Sequence, residues 1–104
     1  MDFSIIDGFQ WDKGNVEKNW MKHQVSMAEA EQVFFNKPLI IIDDNTHSTK
    51  TETRYKAFGK SSTGRKLAVI FTVRGTKIRP ISVRTMHKKE RLAYERQEAN
   101  EEKD

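Results

Sequence analysis

The sequence predicts an α+β domain: two N-terminal helices, a four-stranded antiparallel sheet and a C-terminal helix. Three observations predict it. A capping box, Ser26-Met27-Ala28-Glu29, opens a helix early in the chain. Apolar, β-branched runs, Leu39-Ile40-Ile41-Ile42 and the LAVIFTV stretch ending at Val73, follow the helices rather than alternate with them. Short turn sequences separate the later runs, which makes a meander the simplest topology.

The elements follow in order. Asp12 caps a first helix that runs to about His23, with Val16 and Trp20 on one face. Gly14 and two asparagines lower its intrinsic propensity, so it needs tertiary packing. Ser26 starts the second helix, which runs to about Phe35 and buries Ala30, Val33 and Phe34; Val25 staples onto Ala30. Pro38 ends it. Leu39 to Ile42 reads as a buried strand, followed by a polar loop over 43–51. Arg54 to Ser61 forms the next strand, with Gly59 as a weak point or bulge. Ser62-Thr63-Gly64-Arg65 is a turn, and Lys66 to Val73 is the clearest strand. Arg74-Gly75-Thr76 reverses the chain into a last strand over 77–84. Pro80 cannot donate to a ladder, so the strand is either at an edge there or bulged. Thr85 caps a final helix from Met86 to about Asn100, and the acidic 95–104 stretch is expected to fray. The helices are expected to cover one face of the sheet and leave the other open.

The chain of 104 residues reads as one domain over 1–104. It has no cysteine, which excludes disulfides and thiolate zinc sites and suits a reducing compartment. The start, MDFSIIDGFQW, lacks the pattern of a signal peptide, and no run approaches the roughly 20 apolar residues of a membrane span. These features point to a soluble, cytoplasmic protein. The net charge of +4 is unevenly spread. Residues 50–91 carry thirteen Lys or Arg against Glu52 and Glu90, whereas the segments on either side are acidic. The join at 79–91 crowds Arg79, Arg84, His87, Lys88, Lys89 and Arg91 onto a helix start, an end that is already positive. Such a site suits a polyanion. A DNA-binding repressor fits poorly, because no helix-turn-helix with a basic recognition helix is present.

An ordered set of motifs then stands out. Phe9, Trp11, Asp12, Asn19 (or Asn15), Lys22, His23 and Val25 form the first group. Asp43-Asp44, Glu52-Thr53-Arg54 and Gly59-Lys60-Ser61 follow. Ile78-Arg79, Ile81-Ser82, Arg84, Glu90-Arg91 and Tyr94 complete it. The set resembles the BrnT family of type II toxin–antitoxin toxins over roughly residues 9–95. The chain departs from that family's usual pattern at Gln24, often glycine or a small polar residue, and at Pro80, usually a β-branched aliphatic. The resemblance implies a RelE-like fold and a toxin that cleaves RNA without a metal or other cofactor, inhibiting translation. It also implies a BrnA-type antitoxin as protein partner, which carries the contact with operator DNA.

Metal-free RNA cleavage needs a base for the 2′-hydroxyl, cations for the phosphorane and a proton for the leaving oxygen. Arg54, Arg79 and Arg84 match the family motifs, and guanidinium forks hold phosphate in two places. In strict alternation Arg79 and Arg84 point to opposite faces; they converge only if Pro80 marks a bulge or Arg84 lies past the strand end. Otherwise one of them pairs with Glu52 or Glu90. The base is His23, whose helix-end position raises its proton affinity, or His87, or Glu52. Lys56, Lys60, His87, Lys88 and Arg91 are candidate RNA-binding residues. Asp43-Asp44 with His47 is the nearest approach to a metal cluster and reads better as a turn with solvated acids. Trp11 and Trp20 fit the core or a partner-facing surface better than base stacking. A non-catalytic module that binds nucleic acid or antitoxin, a degenerate toxin, explains the charge equally well.

Overall fold

The computed structural model describes residues 2–46 and 48–102. After a 3-10 turn at Phe3–Ile5 come strand β1 (Gly8–Phe9), helices α1 (Lys13–His23) and α2 (Met27–Gln32), strands β2 (Ile40–Asp43), β3 (Tyr55–Lys60), β4 (Lys66–Arg74) and β5 (Lys77–Thr85), and helix α3 (Lys88–Glu102). The sheet has five strands in the order β1-β5-β4-β3-β2. The expected antiparallel meander is present as β2 to β5. The four-stranded, purely antiparallel sheet needs correction, because β1 pairs in parallel with the start of β5. Two residues carry too little pattern to announce a strand; the register is set by Lys77 and Ile78 alongside.

Local signals hold where they are chemical. Asp12 caps α1, its carboxylate accepting from the Gly14 and Asn15 amides. The Ser26–Glu29 capping box is reciprocal, and Val25 before it is buried. Helix α2 stops earlier than expected, at Gln32, and Phe35 is left exposed. Gly59 is not a bulge: it pairs in register with Leu67, and a Cβ there would lie 2.7 Å from Val33 Cγ1. It is a close-approach glycine that lets the end of α2 rest on the sheet. Helix α3 is capped at His87 rather than Thr85. The His87 amide donates to Glu90 Oε1 at 2.8 Å, half of a capping box.

The core lies between α2, with its flanking residues, and the sheet. Val25, Ala30 and Val33 meet Ala57, Leu67, Val69, Phe71, Ile78 and Val83 from one face of the sheet. Phe34 stacks edge-on against Phe71. The second face is not wholly open, as it was expected to be. Helix α3 crosses it at one end, where Lys60 and Lys66 pair with Glu98 and Arg84 pairs with Glu90. Tyr94 is buried there and donates its hydroxyl to the Pro38 carbonyl. The helix continues through Glu102, two residues past its expected end.

Candidate active site

The second face of the sheet gathers the cations because β5 is bulged. Ile70 pairs with Ser82 and Phe71 with Pro80, so Ile81 is an extra residue in β5. That insertion reverses the side-chain parity of everything after it. Arg79 lies opposite Thr72 and Arg84 opposite Ala68, and these two β4 residues share a face. Pro80, in turn, faces the core and is fully buried. Pro80 meets both readings: β5 is bulged beside it, and β1 runs alongside only Lys77 and Ile78, so among the described residues no strand pairs with the outer side of β5 at Pro80.

Three cross-strand rows result on this face. The first holds Thr72 and Arg79, with Arg54 one residue beyond the Tyr55–Phe71 pair. The next holds Lys56, Ile70 and Ser82, and the third holds Phe58, Ala68 and Arg84. Four residues of β4 separate the first row from the third, about 13 Å along the strand. Arg79 and Arg84 thus share a surface without converging on one point.

Helix α1 walls the outer side. Its cap Asp12 reaches Arg79 Nη2 at 3.2 Å. Its buried Asn19 accepts the Val83 amide at 3.1 Å, doing for β5 what a neighbouring strand would do. Its last residue, His23, lies close enough to Arg84 to feel its charge. Burial first, then the charges of Lys22 and Arg84, push the His23 imidazole below its usual value. The expectation that the helix end raises its proton affinity is overturned: desolvation and two cations outweigh the helix dipole here.

Arg84 is held by Glu90 in a two-pronged pair at 2.7 and 3.0 Å, and also donates to the Thr85 carbonyl. This is the Glu90 pairing that the sequence left as an alternative. The Glu90 carboxyl is lowered to about 2, chiefly by the Arg84 hydrogen bonds against the opposing effect of burial. Arg54 Nε is buried without a hydrogen-bond partner among the described residues. Glu52 lines a cleft of about 530 Å³ with Thr72 and Arg74, at the far end of the face from His23. Among the described residues its carboxylate has no ion pair with Arg54 or Lys56. His87 is exposed, and its ring lies beside Lys89 and Glu90.

The remaining cations divide. Lys60 is paired with Glu98 and Arg91 with Glu95, whereas Lys56 and Lys88 have no acid within ion-pair distance among the described residues. Trp11 packs against the core and donates to Glu31, while Trp20 is half exposed. His47 lies outside the described residues; among those described, no three His, Asp or Glu side chains form a metal-binding group. Sequence reasoning missed Asp12 and Thr72 as members of the site. Asp12 meets Arg79 from 67 residues away, which no local pattern encodes, and Thr72 faces Arg79 only through the register of the β4–β5 hairpin.

The chain is similar to the crystal structure of the Brucella abortus ribonuclease toxin, BrnT, with a TM-score of 0.58 at 24% identity, covering 78% of this chain and 97% of that one. At that identity the likeness speaks for the fold. No curated protein matches the chain. The model of the family described as "Ribonuclease toxin, BrnT, of type II toxin-antitoxin system" matches residues 11–90, most of the sequence. The chain belongs to the BrnT family of ribonuclease toxins of type II toxin–antitoxin systems.

Proposed function

We propose that this chain is a metal-independent endoribonuclease toxin that cuts RNA on the second face of its sheet. The observation that carries the reading is the β5 bulge, which puts Arg79 and Arg84 on one face with Arg54 and Lys56, beside His23, whose proton affinity is lowered by burial and neighbouring cations. Neutral His23 takes the proton from a ribose 2′-hydroxyl as that oxygen bonds to the adjacent phosphorus. The P–O5′ bond breaks, and the leaving 5′-oxygen takes a proton from the same ring or from water. The products are a 2′,3′-cyclic phosphate and a 5′-hydroxyl. Arginine side chains stabilise the charge that develops on the phosphoryl oxygens. Their spacing means that Arg79 with Arg54 and Arg84 address different phosphates along one strand. Lys56, Ser82, His87 and Lys88 extend the track; Lys60 and Arg91 join it only by leaving their acid partners. Glu52 is too remote from Arg84 to serve as the base beside it.

On this reading the fold is a RelE-like variant with an added parallel strand. The toxin acts in the cytoplasm, slows translation, and is silenced by a BrnA-type antitoxin that also supplies the operator contact. An acidic or extended antitoxin segment would cover part of the arginine face.

One observation favours the non-catalytic alternative. Arg79 and Arg84 are already paired with Asp12 and Glu90, as in a surface that only binds. Cleavage decides between them. Purified, antitoxin-free protein is assayed on RNA in EDTA beside Arg79→Ala, Arg84→Ala and His23→Ala, with circular dichroism to check folding. The wild type should cut, and each folded variant should lose roughly a hundredfold or more. Wild-type protein that binds RNA without cutting it would support the binding module instead.

A further inference from the structure

The triple isoleucine of β2 is in the wrong place for its composition. It reads as a buried strand, yet it forms the free edge of the sheet, with Ile42 48% exposed. A flat, apolar edge with open backbone groups is a template for pairing, and proteins blunt such edges unless a partner covers them. Beside it lies an apolar cavity of about 530 Å³, walled by Ile40, Phe58, Ala93 and Tyr94. The cavity and the edge meet at Ile40, and Ile42 sits next to Lys56 on the same face.

The structure assigns this edge and cavity to an extended peptide segment of a partner protein, pairing as a sixth strand, anchored by an apolar side chain and flanked by acids. Charge complementarity selects the occupant. Lys89 lines the cavity and Lys56 neighbours Ile42, and neither has an acid within ion-pair distance among the described residues. A second copy of this chain would bring the same lysines against themselves. A nucleobase finds few readers here: the Tyr94 hydroxyl is engaged by Pro38, and the Glu90 carboxylate by Arg84 and the His87 amide. The backbone edge, by contrast, suits a peptide. Identification of the partner as the antitoxin rests on the toxin reading above; the docking chemistry does not.

Two probes separate these. The first is the cognate antitoxin purified from the co-expressed pair, titrated against wild type, Ile42→Lys and Ala93→Glu, the latter placing an acid in the wall of the cavity. Both side chains are exposed, so the fold should survive. Each variant should bind at least about thirtyfold more weakly, with RNA cleavage unchanged. The amides of Ile40–Asp43 should gain hydrogen-exchange protection in the wild-type complex. The second probe is a synthetic peptide alternating isoleucine and glutamate, with a lysine-for-glutamate control. The acidic peptide alone should shift the amide resonances of β2. Antitoxin affinity unchanged in both variants would overturn the assignment. So would free wild type sedimenting as a dimer that Ile42→Lys dissociates, or RNA cleavage falling in the variants while antitoxin affinity holds. Failure of the wild type to cut RNA would sink the ribonuclease reading but leave both binding readouts intact.

Discussion

Glu90 shows how much rests on single side chains. It accepts both prongs of Arg84 and the His87 amide, so it ties the end of β5 to the start of α3. Its carboxyl sits at about 2, below the ordinary 4.5. A lowered acid stabilises the fold above its unfolded value and loses that contribution as pH falls toward its folded value. Glu90→Gln should therefore cost on the order of 1–3 kcal/mol at about pH 7, and urea unfolding should show the gap closing between about pH 4.5 and 2. The same pair governs His23 indirectly. In Glu90→Gln the Arg84 guanidinium is free to move, and the His23 titration, followed by NMR, should shift. An unchanged His23 would mean that burial and Lys22 set its proton affinity without Arg84. Gln24 explains one departure from the family pattern: it ends α1 at φ 57°, a left-handed position where glycine is at ease.

Elements meet through contacts as specific as those of residues. Helix α2 reaches the sheet only because Gly59 has no side chain opposite Val33. Gly59→Ala should lower stability by about 1–3 kcal/mol, measured by thermal melting, because Val33 and Gly59 are both buried. If the melting point holds, α2 is free to move away and its seat is looser than the contact implies. The bulge in β5 is the other decisive element. It was legible in the sequence as one of two readings of Pro80, but only the pairing with β4 establishes it. Without the extra residue, Arg84 would turn into the core with Val83 replaced on that face.

Across the whole molecule, the basic block is partly neutralised by its own ends. Asp7 and Asp12 pair with Lys77 and Arg79, and the acids of α3 pair with Lys60 and Lys66. Those acids are far from their partners in sequence, so the count of charges overstated the cationic surface. What stays open is the strip from Arg54 and Lys56 toward Ser82. RNA affinity should fall with salt, and Arg79→Ala should flatten the log–log slope by about 0.7, the loss of one phosphate contact on a single strand. Neutralising Glu95 and Glu98 together should act oppositely and steepen it.

The sequence by itself determined the α+β class, the two helix caps and the β2–β5 meander. Each of these is written locally: a capping box needs four residues, a hairpin needs a turn between two apolar runs. Only the tertiary structure decided the parallel fifth strand, the exposure of the Ile40–Ile42 edge, the lowered proton affinity of His23 and the acids that hold Arg79 and Arg84. These depend on which segments lie side by side after folding, and pairing across the chain is a property of the packed whole rather than of any window within it.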